Sequence, residues 1–216
     1  MPKRALIEHR PWLLASVVAA CAYYFLWNNP VGEIWLILLK GAGVGLLAVY
    51  AAVRARGVDG KLLVAVLVFA ALADMALVLF FEIGGALFAV SHCVAVVFYL
   101  RNRRESAVGS QKALAAVLLV GTPLIAWLLS GDALIAIYGV TLGAMAASAW
   151  LSRFSRYRVG IGAVLFVLSD LLIFSRLGPV DLGSIPDILI WPLYYIAQVM
   201  IATGVVQALR QDRPRS

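Results

Sequence analysis

Charge is what this sequence has least of. Only 13% of its 216 residues are Asp, Glu, Lys or Arg, while 63% are hydrophobic. A water-soluble domain carries about 25% charged residues and about 45–50% apolar ones. So few charges cannot cover a surface facing water, which excludes a soluble globular domain and leaves lipid as the solvent. Cysteine is nearly absent: Cys21 and Cys93 both fall inside apolar runs and imply no disulfide framework. Histidine is limited to His9 and His92, and only His92 lies in an apolar run. Catalytic zinc normally takes three protein ligands rich in histidine, so no metal is expected. Paired Gly/Pro interruptions, the mark of the broken helices of transporters, are also missing; Pro123 and Pro192 are isolated kink candidates.

What is present is a series of apolar runs at roughly 12–28, 33–53, 61–81, 84–100, 113–129, 132–151, 159–177 and 188–209. Each is near the roughly 20 residues a helix needs to cross the bilayer core. The expected fold is therefore all-α: a polytopic membrane protein of eight transmembrane helices, forming one membrane-embedded domain over residues 1–216. The net charge of +7 would suggest nucleic acid if the basic residues formed one patch. They lie instead in short clusters between the runs, so no nucleic-acid partner is expected, and the partners are membrane lipids. With the N-terminus in the cytoplasm, the clusters Lys3–Arg10, Arg54–Lys61, Arg101–Lys112, Arg153–Arg158 and Arg210–Arg215 all fall on the cytoplasmic side. Of the 18 basic residues only Lys40 and Arg176 fall elsewhere, so both termini are expected inside by the positive-inside rule. A multi-pass protein of the cell membrane, most simply a bacterial inner membrane, follows, with no oligomeric state implied. Trp27, Trp35, Trp127 and Trp191 fall at outer span ends, and Trp12 and Trp150 at inner ends, in the manner of an aromatic belt. A competing reading makes Val18-Ala19-Ala20-Cys21 a lipoprotein cleavage box, although the apolar run continues through Tyr23, Phe25 and Trp27.

An ionisable side chain in mid-membrane costs about 2.5–3.5 kcal/mol on insertion scales and is a functional candidate by default. Four stand out: Lys40, Asp74, His92 and Asp170; the last span adds Tyr194, Tyr195 and Gln198. Counted from their outer span ends, the four fall at one depth, about 10–12 Å below the boundary at about 1.5 Å per residue. A tight turn near Ile83 would let Asp74 and His92 face each other. Blander readings stand beside this one. Lys40 could snorkel outward, His92 could be a hydrogen-bonded core histidine, and Tyr194, Tyr195 and Gln198 could join helices. Gly41, Gly43 and Gly45 read as close helix packing rather than a phosphate loop. Leu72-Ala73-Asp74 is echoed by Leu168-Ser169-Asp170, as two parallel four-helix halves would give.

The stretch Gly162 to Asp170, with Phe166-Val167-Leu168-Ser169-Asp170 at its end, followed by Tyr194-Tyr195-Ile196-Ala197-Gln198, resembles the C-terminal signature of the YhhN-type lysoplasmalogenases. Asp74, Gly85-Ala86-Leu87-Phe88 and His92 are similar to that family's third and fourth helices, Tyr138 and Met145 to its sixth, and Lys40 to its second-helix lysine. The likeness runs from about Lys40 to Gln198. Ala73, Gly41 and Ala95 stand where the family usually has Gly, Pro and Tyr. The resemblance implies an eight-helix enzyme without metal or organic cofactor. Its substrate would be a lysophospholipid drawn from the bilayer, a lysoplasmalogen whose vinyl ether bond is hydrolysed to a fatty aldehyde and glycerophospho-choline or -ethanolamine.

That chemistry asks for a carboxylic acid to protonate the vinyl carbon and a carboxylate to stabilise the oxocarbenium ion and activate water, as in glycoside hydrolysis. Asp74 and Asp170 are the expected catalytic pair. Lys40, His92, Tyr138, Ser169, Tyr194, Tyr195, Gln198 and Arg176 are the expected binding and supporting residues, with Lys40 or Arg176 holding the phosphate. A proton-coupled transporter, a hydrolase of another lysolipid and an intramembrane aspartyl protease are the competing classes, because intramembrane carboxylates also serve proton relays.

Overall fold

The structure is a computed structural model that describes residues 10–212. Lys3, Arg4, Arg213 and Arg215, which contribute to the expected threading, lie outside the described residues, as does most of the basic segment preceding the first span. Eight α-helices follow one another: α1 (Pro11–Leu26), α2 (Glu33–Arg54), α3 (Gly57–Leu79), α4 (Phe81–Arg101), α5 (Gly109–Ser130), α6 (Ala133–Leu151), α7 (Ile161–Ser175) and α8 (Ile185–Gln211). A π-helical turn, Arg156–Gly160, leads into α7, and no strand occurs among the described residues. Seven helices are long and apolar enough to cross a membrane when α7 is taken together with its π turn (Arg156–Ser175, 20 residues); α1, with 16 residues, is shorter. The all-helical, eight-helix expectation holds, and the protein is a multi-pass membrane protein.

Local chemistry sets the ends. Phe80 alone, in an extended conformation (φ −144°), connects α3 to α4; its N–H donates to the Ala76 carbonyl and its own carbonyl accepts from Gly84 N–H. The turn therefore comes earlier than the expected position near Ile83, which lies inside α4. An added Cβ on Gly84 would meet Leu77 at 2.5 Å, so glycine is what lets α4 fold back against α3. The α5–α6 turn is closed by Asp132, whose Oδ1 accepts the Leu134 N–H at 2.7 Å and so caps α6. Pro192 deprives the Ile188 carbonyl of its intrahelical donor, and Tyr24 Oη of α1 donates to that carbonyl instead, at 3.3 Å.

The bundle is arranged as lipid demands. Large apolar side chains such as Phe25, Val53, Val120, Leu128 and Leu134 are exposed, and the interior is rich in alanine and glycine. With lipid as apolar as leucine, helices associate through close packing of small residues. Gly41 meets this expectation: a Cβ there would lie 2.4 Å from Met75 Cγ of α3. Helix α2 packs on α8 as α6 packs on α4, a reciprocity consistent with two parallel halves. At the end bearing Arg54, Arg101 and Arg153 (the basic end), the α4–α5 and α6–α7 connections are stitched together. Arg104 N–H donates to Leu151 O at 3.0 Å and Arg153 N–H to Asn102 O at 2.8 Å. Trp12, Trp27, Trp35 and Trp127 are exposed as a belt requires. Trp191 departs from the belt: it is buried, its Nε1–H donating to Ala20 O at 3.0 Å, and it belongs to the α1–α8 packing. Cys21 and Cys93 are unpaired and exposed.

Candidate functional site

Helices α3 and α7 run in the same direction and place Asp74 and Asp170 five residues before their ends, Leu79 and Ser175. Both carboxylates are buried, at 2% and 5% exposure, so each needs a donor inside the protein. Each has a tyrosine. Tyr138 Oη of α6 donates to Asp170 Oδ2 at 2.6 Å, and Tyr194 Oη of α8 donates to Asp74 Oδ2 at 2.6 Å. Gln198, one turn on, donates Nε2–H to the Tyr194 oxygen at 3.2 Å and fixes that hydroxyl. Asp74 is within electrostatic reach of both Lys40 and Asp170. The structure thus joins Asp74, Tyr194 and Gln198 into one chain of hydrogen bonds and Asp170 with Tyr138 into another.

Phe88, His92 and Phe166 form an aromatic cluster that touches both tyrosines. Phe166 packs edge-on to Tyr194 (5.1 Å between ring centroids) and to His92 (5.3 Å), and His92 edge-on to Tyr138 (5.4 Å). His92 does not meet Asp74. Because the α3–α4 connection is at Phe80, His92 sits twelve residues beyond it and Asp74 only six before it. The histidine is therefore about 9 Å deeper at about 1.5 Å per residue, and the expectation of a single depth fails at this residue. Its Nδ1 approaches Thr141 Oγ1 at 3.4 Å. That hydroxyl already donates to Tyr138 O at 2.8 Å, which leaves the imidazole as donor through Nδ1–H. Nε2 is then a buried lone pair with no partner among the described residues.

Two residues expected at the site point away from it. Tyr195 Oη meets Ser16 Oγ at 2.7 Å, and Ser16 in turn donates to Gly43 O at 2.5 Å, a link that ties α8 to α1 and α2. Ser169 Oγ donates to Ile190 O at 2.9 Å and joins α7 to α8. Both read as interhelical hydrogen bonds.

Two cavities open beside the carboxylates. The larger, about 650 Å³, is mainly apolar and lined by Leu77, Phe88, Ile135, Tyr138, Asp170 and Phe174, with Glu82, Ser130 and Asp132 around it at the end opposite the basic one. The smaller, about 200 Å³, is lined by Tyr23, Lys40, Arg176, Asp187, Ile190 and Trp191. Leu77, Phe81 and Ile173 line both and form the wall between them. Asp170 faces the large cavity; Asp74 lines neither. Lys40 Nζ sits 5.9 Å from the Tyr23 ring centroid. Arg176 is ion-paired with Asp187 in the first turn of α8. Thr141 was missed, although its spacing of three from Tyr138 places both on one face of α6.

Among the described residues no group of three or more His, Cys, Asp or Glu side chains is placed to hold a metal ion. Residues 35–205 match the model of the YhhN family. Comparison with curated proteins and with solved structures gave no match.

Proposed function

The chain belongs to the YhhN family, a family of lysoplasmalogenases, and on that premise we propose that it hydrolyses the vinyl ether bond of a lysoplasmalogen in the bilayer. The observation that carries the reading is the Asp170–Tyr138 pair on the wall of the large apolar cavity. Its volume falls in the range of about 300–1,000 Å³ usual for ligand sites, and the alkenyl chain is the part of the substrate that such a lining accepts. Phosphate falls to the smaller cavity. Lys40 is its leading partner, because Lys40 makes no ion pair among the described residues while Arg176 is already answered by Asp187.

Asp170, with Oδ2 engaged by Tyr138, gives the proton on Oδ1 to the vinyl carbon distal to oxygen, and the carbon bearing the ether oxygen becomes an oxocarbenium centre. Asp74, behind the cavity wall yet within electrostatic reach of Asp170, stabilises that cation. In this proposal a side-chain shift brings its carboxylate to the water, from which it takes a proton as the water oxygen bonds to the cationic carbon. The hemiacetal then collapses. The bond from that carbon to the glycerol oxygen breaks, Asp74 returns its proton to the glycerol oxygen, and the hemiacetal hydroxyl proton goes to Asp170 as the aldehyde forms. Water is consumed and both aspartates end as they began. Tyr194 and Gln198 hold Asp74, and Tyr138, with Thr141 and His92 behind it, holds Asp170.

In this reading the basic end faces the cytoplasm of a bacterial inner membrane, and the site is reached from the opposite leaflet. The basic half is filled by Leu47, Leu67, Phe98, Tyr99, Leu142 and Phe154, each at 2% exposure or less, which supports a closed enzyme over a proton path. Mass spectrometry of purified protein given a lysoplasmalogen or the matching acyl lysophospholipid tests the reading. Fatty aldehyde from the first and no fatty acid from the second is expected. Fatty acid alone would assign the site to another lysolipid.

A further inference from the structure

At the basic end, far from both aspartates in the chain's threading, a third cavity of about 430 Å³ is lined by Arg10, Tyr50, Arg158, Thr203, Gln207 and Arg210. Three guanidinium groups converge on it from three separate parts of the chain: the residue preceding α1, the π-helical turn, and the end of α8. Among the described residues no carboxylate lines it. The acidic residues ion-paired at this end are used elsewhere: Asp59 pairs with Arg101 at 3.5 Å and Asp212 with Arg153 at 2.7 Å.

The geometry is built rather than incidental. The π turn closes with the Val159 and Gly160 N–H groups both directed to the Ser155 carbonyl, at 2.7 and 3.4 Å. Such turns are rare and are frequently found at functional sites. Gly204 lets α8 lie directly against this turn; a Cβ there would meet Val159 Cγ2 at 2.9 Å and Arg158 Cβ at 3.0 Å. Arg158 is then held by Gln207, whose Oε1 accepts from Nη1. Tyr50 of the lining is itself covered by a cation, the Arg54 guanidinium lying 5.7 Å from its ring centroid.

We propose that this cavity is a binding site for the phosphate of an anionic phospholipid in the leaflet at the basic end. Arginine forks match phosphate oxygens in pairs, and basic pockets between membrane helices suit anionic head groups. The surroundings favour a lipid over a soluble anion. Val49 and Val53, on the α2 turns that carry Tyr50, are exposed, as is Trp12 beside Arg10, so acyl chains have apolar helix surface to run along. A phosphate seated here bridges the start of α1 to α7 and α8. The bridge matters most for α1, which has the fewest residues of the eight helices apart from α7.

Native mass spectrometry of the full-length protein in detergent, titrated with phosphatidylglycerol, phosphatidylcholine or inorganic phosphate, tests this. Phosphatidylglycerol is expected to bind in preference to phosphatidylcholine and to raise the melting temperature. Arg158→Gln and Arg210→Gln are each expected to weaken that binding about tenfold, the size of one lost charge-assisted hydrogen bond. Arg101→Gln, outside the cavity, should leave it unchanged, and hydrolysis should be unaffected in all three variants. Equal binding by wild type and both cavity variants would overturn the site. Full stabilisation by inorganic phosphate alone would overturn the lipid as its occupant. Should either arginine variant fold poorly, Gln207→Leu, which releases Arg158 without removing a charge, is expected to show the same preference loss on a smaller scale, and retention of full binding there would count against the built geometry.

Discussion

Replacing Tyr138 with phenylalanine removes a single oxygen. The ring contacts to His92 (5.4 Å) and Phe174 (5.6 Å) remain, and the hydrogen-bond partner lost is Asp170 Oδ2, at 2.6 Å. As Asp170 gives up its proton it becomes a carboxylate, and a hydrogen bond to a charged group is worth about 1.5–3 kcal/mol. In this account that bond orients the proton donor, so its loss falls on the transition state and kcat should drop about 10- to 150-fold. The substrate's chain and phosphate contacts are untouched, so KM should stay within about threefold. The assay is steady-state aldehyde release from a lysoplasmalogen in mixed micelles. Tyr194→Phe is the matched comparison, because it removes the same kind of bond from Asp74 and also strands Gln198 Nε2. A Tyr138→Phe variant with unchanged kcat, alongside an inactive Asp170→Asn, would refute the idea that the tyrosine positions the acid. A rise in KM alone would move Tyr138 from positioning to substrate binding.

Asp74→Asn and Asp170→Asn should each lower turnover by about 10²–10⁴-fold, as removal of a general acid or base does, with detergent-extracted yields near wild type; activity surviving in either removes that residue from the mechanism. Lys40→Met should raise KM with a modest loss of kcat if the ammonium holds phosphate, whereas unchanged kinetics in both Lys40→Met and Arg176→Gln would leave the phosphate without a cation here. With Cys21 and Cys93 replaced by serine, Ile173→Cys, on the wall shared by the two cavities, should react with an impermeant thiol reagent applied outside the cell. Labelling only from the cytoplasmic side would reverse the threading.

The spans could be read because length and apolarity alone define a bilayer-crossing helix. Expected runs such as 33–53 and 132–151 meet α2 at Glu33–Arg54 and α6 at Ala133–Leu151. Depth along a helix could also be counted, and Asp74 and Asp170 end equally far from their helix ends. The failures share one cause: rotation and pairing are set by packing, which no run of apolar residues encodes. Tyr194 and Tyr195 are neighbours in sequence, yet about 100° apart around the helix, and only Tyr194 meets a carboxylate. His92 was misplaced in depth because a one-residue connection at Phe80 carries no glycine or proline to mark it. Trp191 stands near a span end and reads as belt, but the α1–α8 contact buries it. The π turn at Arg156 has no sequence signature and emerges only where Gly204 admits α8.

The measurement that bears most directly on the central claim compares a lysoplasmalogen with its saturated ether analogue, each incubated with the purified protein in deuterated water and analysed by mass spectrometry. Proton transfer to the vinyl carbon predicts fatty aldehyde carrying one deuterium on the carbon next to the carbonyl, a glycerophospho product in equal amount, and no product from the saturated ether. Turnover of both ethers, or consumption of the lysoplasmalogen without aldehyde, would contradict the assignment of Asp74 and Asp170 to vinyl ether hydrolysis.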